Sequence, residues 1–483
     1  MQKVKDLTQG PILGNLIRLS LPIIGTSFMQ MAYNLTDMMW LGQMGSGAVA
    51  AVGAASFFSW FGISILLITR IGAEVGVSQS IGRRDMNGAA RYARHAIVWA
   101  LILTSLYAIF TLWKAPDLLS LLNLQSATVH AEATLYLRII SIGFLATYLN
   151  PTFQGIYNGA GNSRQPFWYL LAGLLTNIVL DPLLIFGLGP IKGMGVAGAG
   201  YATVVAQLLV ATLFLRGLFF KKEIFDISLR QFRLNKAITA SIFKLGLPVA
   251  AEGAMFSIFA MVLARLITQW GDVPLAVQSV GSQIEAISWM TASGLATALG
   301  AFTGQNFGNG NWHRIRKGYA VAIGVGITLG LMVTATFIIF GKQIFSVFLD
   351  EPEALAMGIT YLKILAISQT FMIVEILTRG AFNGIGRTIP PSITGIAFTG
   401  MRIPLAMALM APHLLGMYAI WWAITLSSVV KGLVISSWFG VVLHRRIPFT
   451  TGGAKQILMS IIPCRILQTG TVAILNIKGN RKK

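Results

Sequence analysis

The sequence predicts an all-α integral membrane protein with twelve transmembrane helices, arranged as two pseudo-symmetric six-helix lobes. Three observations support this prediction: the composition, the length of the apolar runs and a repeat of motifs. Of the 483 residues, 55% are hydrophobic and only 11% are charged, whereas soluble domains carry about 25% charged residues. The spans must be helical because lipid offers no partner to an unpaired backbone group.

Three short motifs occur twice, at a sequence offset of 226 (248 − 22) or 225 (380 − 155). The pairs are Leu21-Pro22 with Leu247-Pro248, Gln79–Gly82 with Gln305–Gly308, and Gly155–Gly161 with Gly380–Gly386. A register that holds so closely over this distance indicates two copies of one half. Tandem halves in a membrane are typical of secondary transporters.

Apolar runs of about 20 residues, the length that crosses a bilayer, define six spans in each half. They fall near 15–41, 48–73, 93–113, 134–158, 166–188 and 195–219, and then near 242–269, 275–301, 318–340, 357–382, 391–411 and 417–442. Because six is even, both halves have the same orientation. The predicted organisation is an N-terminal lobe (1–220), a cytoplasmic linker (221–240), a C-terminal lobe (241–443) and a cytoplasmic tail (444–483).

Basic residues cluster in alternate connections and so orient the chain. Arg83 and Arg84 lie in one loop and Lys221 and Lys222 in another, whereas Gly42–Gly47 contains no Lys or Arg. The positive-inside rule then places both termini in the cytoplasm. We expect a multi-pass protein of the bacterial cytoplasmic (inner) membrane. Its net charge of +21 is expected to set the orientation of the protein in the bilayer and not to bind nucleic acid.

Several other classes of protein are excluded by what the sequence lacks. No G-x-x-x-x-G-K-[ST] motif is present, so ATP is not expected as the direct energy source. The single cysteine, Cys464, excludes an intramolecular disulfide framework, and the five histidines show no metal-ligand spacing. We expect no enzymatic activity, no cofactor and no metal beyond a coupling Na⁺.

Polar residues within the spans of the first half are the first candidates for a functional site. Tyr33 and Asp37 are four residues apart, as are Asn177 and Asp181, so each pair lies on one helix face. An ionisable residue in a span costs about 2.5–3.5 kcal/mol on insertion scales and indicates function by default. These four residues, with Asn158, are predicted to bind H⁺ or Na⁺. The alternative is structural: Asp37 is solvated at the outer mouth and Asp181 caps a kink at Pro182.

The repeat provides an internal control for the two acids. Asp37 corresponds to Leu263 (37 + 226), and Asp181 corresponds to Ala406 (181 + 225). Because the second half has neither acid, neither is required to build the fold. This comparison favours a coupling function located in the first half alone.

The second half has charged residues at other positions, and these are candidates for a substrate cavity: Glu252, Glu285, Glu375 and Arg402. Glu252 lies near mid-membrane and is a possible cation or substrate contact. Glu375 and Arg379 are four apart and are expected to neutralise each other on one helix face. Arg402 corresponds to Asn177 (402 − 225) and is expected to act as a fixed internal cation.

Several motifs resemble those of the multidrug and toxic compound extrusion (MATE) transporters. They are Asn177–Gly187, Gly195–Gly200, the segment from Gly246-Leu247-Pro248 to Gly304–Gly308, and Arg402-Ile403-Pro404. The resemblance covers about residues 12 to 445. It implies a cation-coupled antiporter with two six-helix lobes, which expels amphipathic, often cationic organic compounds.

The resemblance also implies a role for particular residues. Asp37, Asn177 and Asp181 match the positions that form a cation or proton site in the family's N-terminal lobe, and Tyr33 matches as well. We expect small organic cations as substrates, exchange for H⁺ or Na⁺, and a monomer. The alternatives are a flippase for lipid-linked oligosaccharide or peptidoglycan precursors, and a channel or non-transporting receptor.

Overall fold

The computed structural model describes residues 4–447, except 123, 125, 190, 229–231, 349–350 and 412–413. From residue 448 onward, the predicted tail lies outside the described residues. The first half contains α1 (Ile12–Met44), α2 (Ser46–Gly82), α3 (Met86–Ser120), α4 (Ala127–Gly159), α5 (Arg164–Ile185), the hairpin of β1 (Gly187–Leu188) and β2 (Ile191–Lys192), and α6 (Val196–Leu215), which a π-helical turn (Arg216–Phe220) extends.

The second half repeats this order of helices. It contains α7 (Lys236–Thr268), α8 (Asp272–Gly308), α9 (Trp312–Ile339), α10 (Gly341–Ser346), α11 (Pro352–Gly384), α12 (Ile389–Gly400), α13 (Arg402–Leu409), a 3₁₀ turn (Gly416–Tyr418) and α14 (Ala419–Arg446). Both ends of α8 follow those of α2 at the offset of 226 (272 − 46 and 308 − 82). Both ends of α11 follow those of α4 at the offset of 225 (352 − 127 and 384 − 159). The repeat seen in the motifs therefore extends to the helix boundaries.

Local signals that begin helices are repeated as well. Asp85 caps α3 by accepting a hydrogen bond from the Gly88 backbone N–H at 2.7 Å, and Asn311 caps α9 in the same way. Gly45 and Gly271 join the first two helices of each half with φ of 111° and 103°, a backbone conformation that strongly favours glycine. Each half thus begins its helices with the same local chemistry.

Eleven helical segments in the described part of the chain are long and apolar enough to cross a membrane. The twelfth predicted span is α8, which has 37 residues but carries polar side chains such as Gln278, Ser282 and Glu285. Two of these side chains face protein, since Trp421 Nε1 donates to Gln278 Oε1 and Tyr361 Oη donates to Glu285 Oε2. Two spans are interrupted: α9 ends before the short α10, and α12 gives way to α13 at Met401.

Four clusters of buried apolar residues define two lobes that are joined at one end. At the end that carries the basic loops, Ile238 and Ile242 of α7 pack into the first half, and Leu16 and Leu19 of α1 pack into the second. At the opposite end, each of the two other clusters contains residues of one half only. The lobes are therefore packed together at the basic end and separate at the other.

Two symmetry-related hydrogen bonds connect the lobes at the basic end. Gln79 Nε2 donates to the Gly384 carbonyl at 2.9 Å, and Gln305 Nε2 donates to the Gly159 carbonyl at 3.2 Å. Gln79 and Gln305 are repeat partners, as are Gly159 and Gly384. Each lobe therefore donates a hydrogen bond to the equivalent glycine carbonyl group of the other lobe.

Residues 4–11, here called the N-terminal strap, also connect the two lobes. The Lys5 backbone N–H donates to the Ala160 carbonyl of the first half at 3.1 Å. The Leu7 backbone N–H donates to Oε1 of Gln305 in the second half at 2.8 Å, and the Leu7 side chain is completely buried. Separating the lobes at this end requires the strap to release one of them.

Candidate functional site

Three helices of the first half bring a set of polar side chains together near the outer ends of α1 and α5. Tyr33 and Asp37 come from α1, Asn177 and Asp181 from α5, and Thr203 from α6. The four-residue spacing within α1 and within α5 directs each pair to one face, as predicted. Asn177 and Asp181 are completely buried, whereas Asp37 is half-buried as a residue, with its Oδ1 atom shielded from solvent.

Carboxyl and amide groups are in direct contact at this site. Asn177 Nδ2 donates to Asp181 Oδ1 at 3.0 Å. The Asp37 side chain is close enough to Asp181 to interact with it electrostatically, and Asn177 lies beside both acids. Two neighbouring carboxylates repel each other strongly, so the pair is stable only with a shared proton or a bound cation.

Buried oxygen atoms without a hydrogen-bond partner gather at the same place. They are Tyr33 Oη, Asp37 Oδ1, Asn177 Oδ1, Asp181 Oδ2 and Thr203 Oγ1. Buried polar atoms are normally satisfied, and each exception requires an explanation. A set of oxygen ligands suits a hard cation such as Na⁺, and the carboxylates among them can instead accept a proton.

Two residues of this site were missed by the sequence analysis. The Thr203 hydroxyl lies close to the hydroxyls of both Tyr33 and Tyr136, and Tyr136 is close enough to Asp37 to interact with it electrostatically. A threonine or tyrosine in an apolar helix gives no signal by itself. Only the packing of α4 and α6 against α1 and α5 selects these two.

Asn158 does not belong to this cluster, contrary to the expectation from sequence. Tyr136 and Asn158 both lie on α4, but six helical turns separate them, which corresponds to about 33 Å along a helix. Asn158 is completely buried at the basic end, beside Gly159, whose carbonyl bonds Gln305. The structure therefore places Asn158 at the junction between the lobes.

The second half contains a chain of ion pairs around two buried acids, Glu252 and Glu375. Arg379 bridges two acids, with Nη1 at 3.2 Å from Glu252 Oε1 and Nη2 at 3.1 Å from Glu375 Oε1. Lys431 Nζ lies 3.4 Å from Glu375 Oε2. The predicted pair of Glu375 with Arg379 is present, but neither the second partner of Arg379 nor Lys431 was predicted. Glu252 retains one buried oxygen, Oε2, without a hydrogen-bond partner.

Glu285 and Arg402 form a second polar group in this half. Tyr361 Oη and Gln369 Nε2 donate to the two Glu285 oxygens at 3.1 and 2.8 Å. Arg402 donates through Nε to Ser427 Oγ at 2.8 Å and through Nη2 to Ser428 Oγ at 3.0 Å. The four second-half residues predicted from sequence thus fall into two groups, of which one contains Glu252 and Glu375 and the other Glu285 and Arg402.

The fold and these sites define a class of protein: a polytopic membrane protein of two related six-helix lobes, with paired acids in one lobe only. A family model described as MatE matches residues 22–183 and 248–408, which is one match in each half. Among related proteins, the "Probable multidrug resistance protein NorM" of Thermotoga maritima is 26% identical over 424 residues, covering 84% of this chain and 87% of that protein. The "Probable multidrug resistance protein YpnP" of Bacillus subtilis is 26% identical over 407 residues, covering 83% and 89%.

Solved structures show the same fold. A crystal structure of "MATE in the bent conformation" has a TM-score of 0.86 and 26% identity, covering 95% of this chain and 100% of that one. A Pyrococcus furiosus transporter, described with a "reverse polarity of binding pocket", has the same TM-score and identity and covers 93% and 100%. The chain belongs to the MATE family of membrane transporters. This membership confirms the resemblance and the architecture of twelve helices in two lobes, and it places the chain in a family of transporters.

Proposed function

We propose that this protein is a secondary active antiporter that exports amphipathic or cationic organic compounds in exchange for H⁺ or Na⁺. The observation that carries the proposal is the proximity of the Asp37 and Asp181 side chains, each with a buried oxygen that lacks a hydrogen-bond partner, in one lobe of a repeated fold. The names of the relatives, probable multidrug resistance proteins, agree with organic compounds as substrates. Both termini are then cytoplasmic, and the basic end faces the cytoplasm of a bacterial cell.

The mechanism follows from the unequal packing of the two ends. In this state the lobes are joined at the cytoplasmic end, so the space between them opens outward, on the side of the half-buried Asp37. A proton or Na⁺ entering there removes the repulsion between Asp37 and Asp181 and draws α1 toward α5. A cation can drive transport only if it binds the two states of the protein unequally. Rearrangement of α1, which packs on both lobes, provides that difference.

The charge of the second lobe supports small organic cations as substrates. Its six charged groups within the spans, namely Glu252, Glu285, Glu375, Arg379, Arg402 and Lys431, are three acids and three bases, so their formal charges cancel. The paired acids of the first lobe have no such balance, which favours a cationic substrate. A monomer contains both lobes and is sufficient for this cycle.

A flippase for lipid-linked oligosaccharide or peptidoglycan precursors is the competing proposal. Its specific support is the presence of buried cations in the second lobe, which a pyrophosphate substrate requires. Two of these cations, Arg379 and Lys431, are already held by carboxylates at 3.1–3.4 Å. Because an ion-paired cation attracts an anionic substrate weakly, we favour the antiporter.

Dye transport in liposomes tests the proposal. Ethidium movement is followed under a pH gradient alone and then under a Na⁺ gradient alone, with Asp37→Asn and Asp181→Asn in parallel. Asp117→Asn is the matched control because Asp117 is exposed and pairs only with Lys114 on the surface. We expect one gradient to drive the dye, and each site variant but not the control to abolish this movement. Transport that persists in both site variants would contradict the coupling role, and absence of transport under both gradients would favour the flippase.

A further inference from the structure

The cation site of the first lobe has a counterpart in the second lobe. Three of its positions recur at the offset of 225: Tyr136 becomes Tyr361, Asn177 becomes Arg402 and Thr203 becomes Ser428. These three second-lobe residues lie together in the structure, since Arg402 bonds Ser428 and interacts electrostatically with Tyr361. The second lobe therefore has a site at the equivalent location, but it is formed by chemically different residues.

In the second lobe, the groups that could bind a cation are absent, and a positively charged side chain is present instead. The positions of Asp37 and Asp181 are taken by Leu263 and Ala406, both buried among apolar side chains. At the position of Asn177 stands Arg402, whose guanidinium group fills the space beside the hydroxyl of Ser428. A permanently charged side chain thus occupies the place where the first lobe leaves five oxygen atoms without partners.

An acid unique to the second lobe balances this charge. Glu285 corresponds to Ser59 (285 − 226), so the first lobe has no equivalent carboxylate. Tyr361 and Gln369 hold Glu285 by hydrogen bonds at 3.1 and 2.8 Å. Glu285 and Tyr361 both interact electrostatically with Arg402. The described residues contain no ion pair at contact distance to Arg402, so Glu285 balances its charge without touching it.

We propose that Arg402 is a tethered cation that permanently occupies the second lobe's counterpart of the cation site. This inference rests on the proposed cation site of the first lobe. With the Arg402 guanidinium group in this place, the second lobe can neither bind nor release a coupling ion. This lobe therefore keeps the conformation of a cation-bound lobe throughout the cycle. Only the first lobe then responds to the gradient, which explains why a symmetric fold has coupling acids on one side.

Thermal unfolding of variants in detergent, with and without millimolar guanidinium chloride, tests the proposal. Arg402→Ala empties the site, and we expect a lower unfolding midpoint that guanidinium restores saturably, as a ligand of the native state does. Tetramethylammonium, which has the same charge but no N–H donors, should not restore it. The double variant Arg402→Ala/Glu285→Gln should lose the response to guanidinium, because the balancing charge is gone. Gradient-driven dye transport by Arg402→Ala should likewise return with guanidinium.

Two conservative variants separate charge from hydrogen bonding. Arg402→Lys keeps the charge and Arg402→Gln keeps only the donors to Ser427 and Ser428. We expect Arg402→Lys to retain transport and Arg402→Gln to lower it about tenfold or more, because the charge of Glu285 is then left uncompensated inside the lobe. An Arg402→Gln protein that behaves like wild type would overturn the proposal even if Arg402→Ala does not fold.

The outcome is distinguishable from failure of the antiport proposal. The guanidinium response of Arg402→Ala should survive the addition of Asp37→Asn, because the two sites lie in different lobes. Loss of coupling at Asp37 with an intact guanidinium response overturns only the first proposal. No guanidinium response in Arg402→Ala, with gradient coupling at Asp37 intact, overturns only the tethered cation.

Discussion

Gly82 and Gly308, at the cytoplasmic ends of α2 and α8, allow the two lobes to approach each other closely. Substitution of either glycine by alanine should therefore separate the lobes at the cytoplasmic end. A Cβ atom on Gly82 would lie 1.9 Å from the Gln305 carbonyl oxygen, and one on Gly308 would lie 2.1 Å from the Gln79 carbonyl oxygen. Real Cβ atoms essentially never approach closer than 3.0 Å. The atoms they would meet belong to the backbone, so α2 and α8 must separate by roughly 1 Å.

The magnitude follows from the cost of overpacking. An extra methyl group in a well-packed core costs about 1–3 kcal/mol. Because the clash exists only while the lobes are joined, the whole cost falls on this state. A shift of about 2 kcal/mol changes the equilibrium roughly 30-fold, which would raise an open population of about 1% to about a quarter.

Distance measurements by electron paramagnetic resonance between two spin labels test this expectation. Labels at Asn87 and His313, which are exposed repeat partners at the cytoplasmic end, report the separation of the lobes in a Cys464→Ser background. Gly82→Ala should add a longer distance to the distribution. Gly53→Ala is the matched control, since Gly53 lies on the same helix and has open space around its Cβ position. An unchanged distance distribution in a folded Gly82→Ala protein would refute the conclusion that the contact between Gly82 and Gln305 holds the lobes together at the cytoplasmic end.

Three further variants test other parts of the structure. Leu7→Ala should shift the same label distances toward opening because it removes a buried anchor of the strap, worth about 2–5 kcal/mol; Leu119→Ala, equally buried but within one lobe, should lower stability without this shift. Arg379→Met should lower the free energy of unfolding by about 3–5 kcal/mol, because it leaves the buried Glu252 without an ion-pair partner and Glu375 with Lys431 alone, whereas loss of the exposed Lys222 pair should cost under about 1 kcal/mol. Thr203→Ala should raise the cation concentration for half-maximal dye transport roughly tenfold at an unchanged maximal rate, because it removes one oxygen ligand; an unchanged cation dependence would remove this residue from the site.

Much of the architecture could be predicted from the sequence because the signals are local. A run of about 20 apolar residues must span a bilayer as a helix, and a fixed offset between motifs carries each boundary of one half to the other. The helix bounds show how far this extends: Ser46–Gly82 and Asp272–Gly308 are related by the same offset at both ends. The four-residue spacing of Asn177 and Asp181 likewise sufficed to place them on one face.

What the sequence could not supply was the partner of each polar residue. The spans are apolar over most of their surface, so the pattern of residues does not say which face meets which helix. Asn158 and Tyr136 lie at opposite ends of α4, and only Tyr136 belongs to the cation site. Thr203 lies on α6, which has no charged residue to draw attention to it. Lys431 is an ionisable residue within a predicted span, but only the structure shows that it pairs with Glu375.

The sequence by itself determined the two halves, the twelve spans and the restriction of paired acids to the first half. Hydropathy, helix length and repeat register are properties of the chain alone, so no contact between distant residues is needed to find them. Only the tertiary structure decided that Asp37 meets Asp181, that Arg402 lies at the counterpart of their site, and that the lobes are joined at the basic end. These features depend on helix rotation and crossing, which close packing at glycines such as Gly82 and Gly308 fixes in three dimensions.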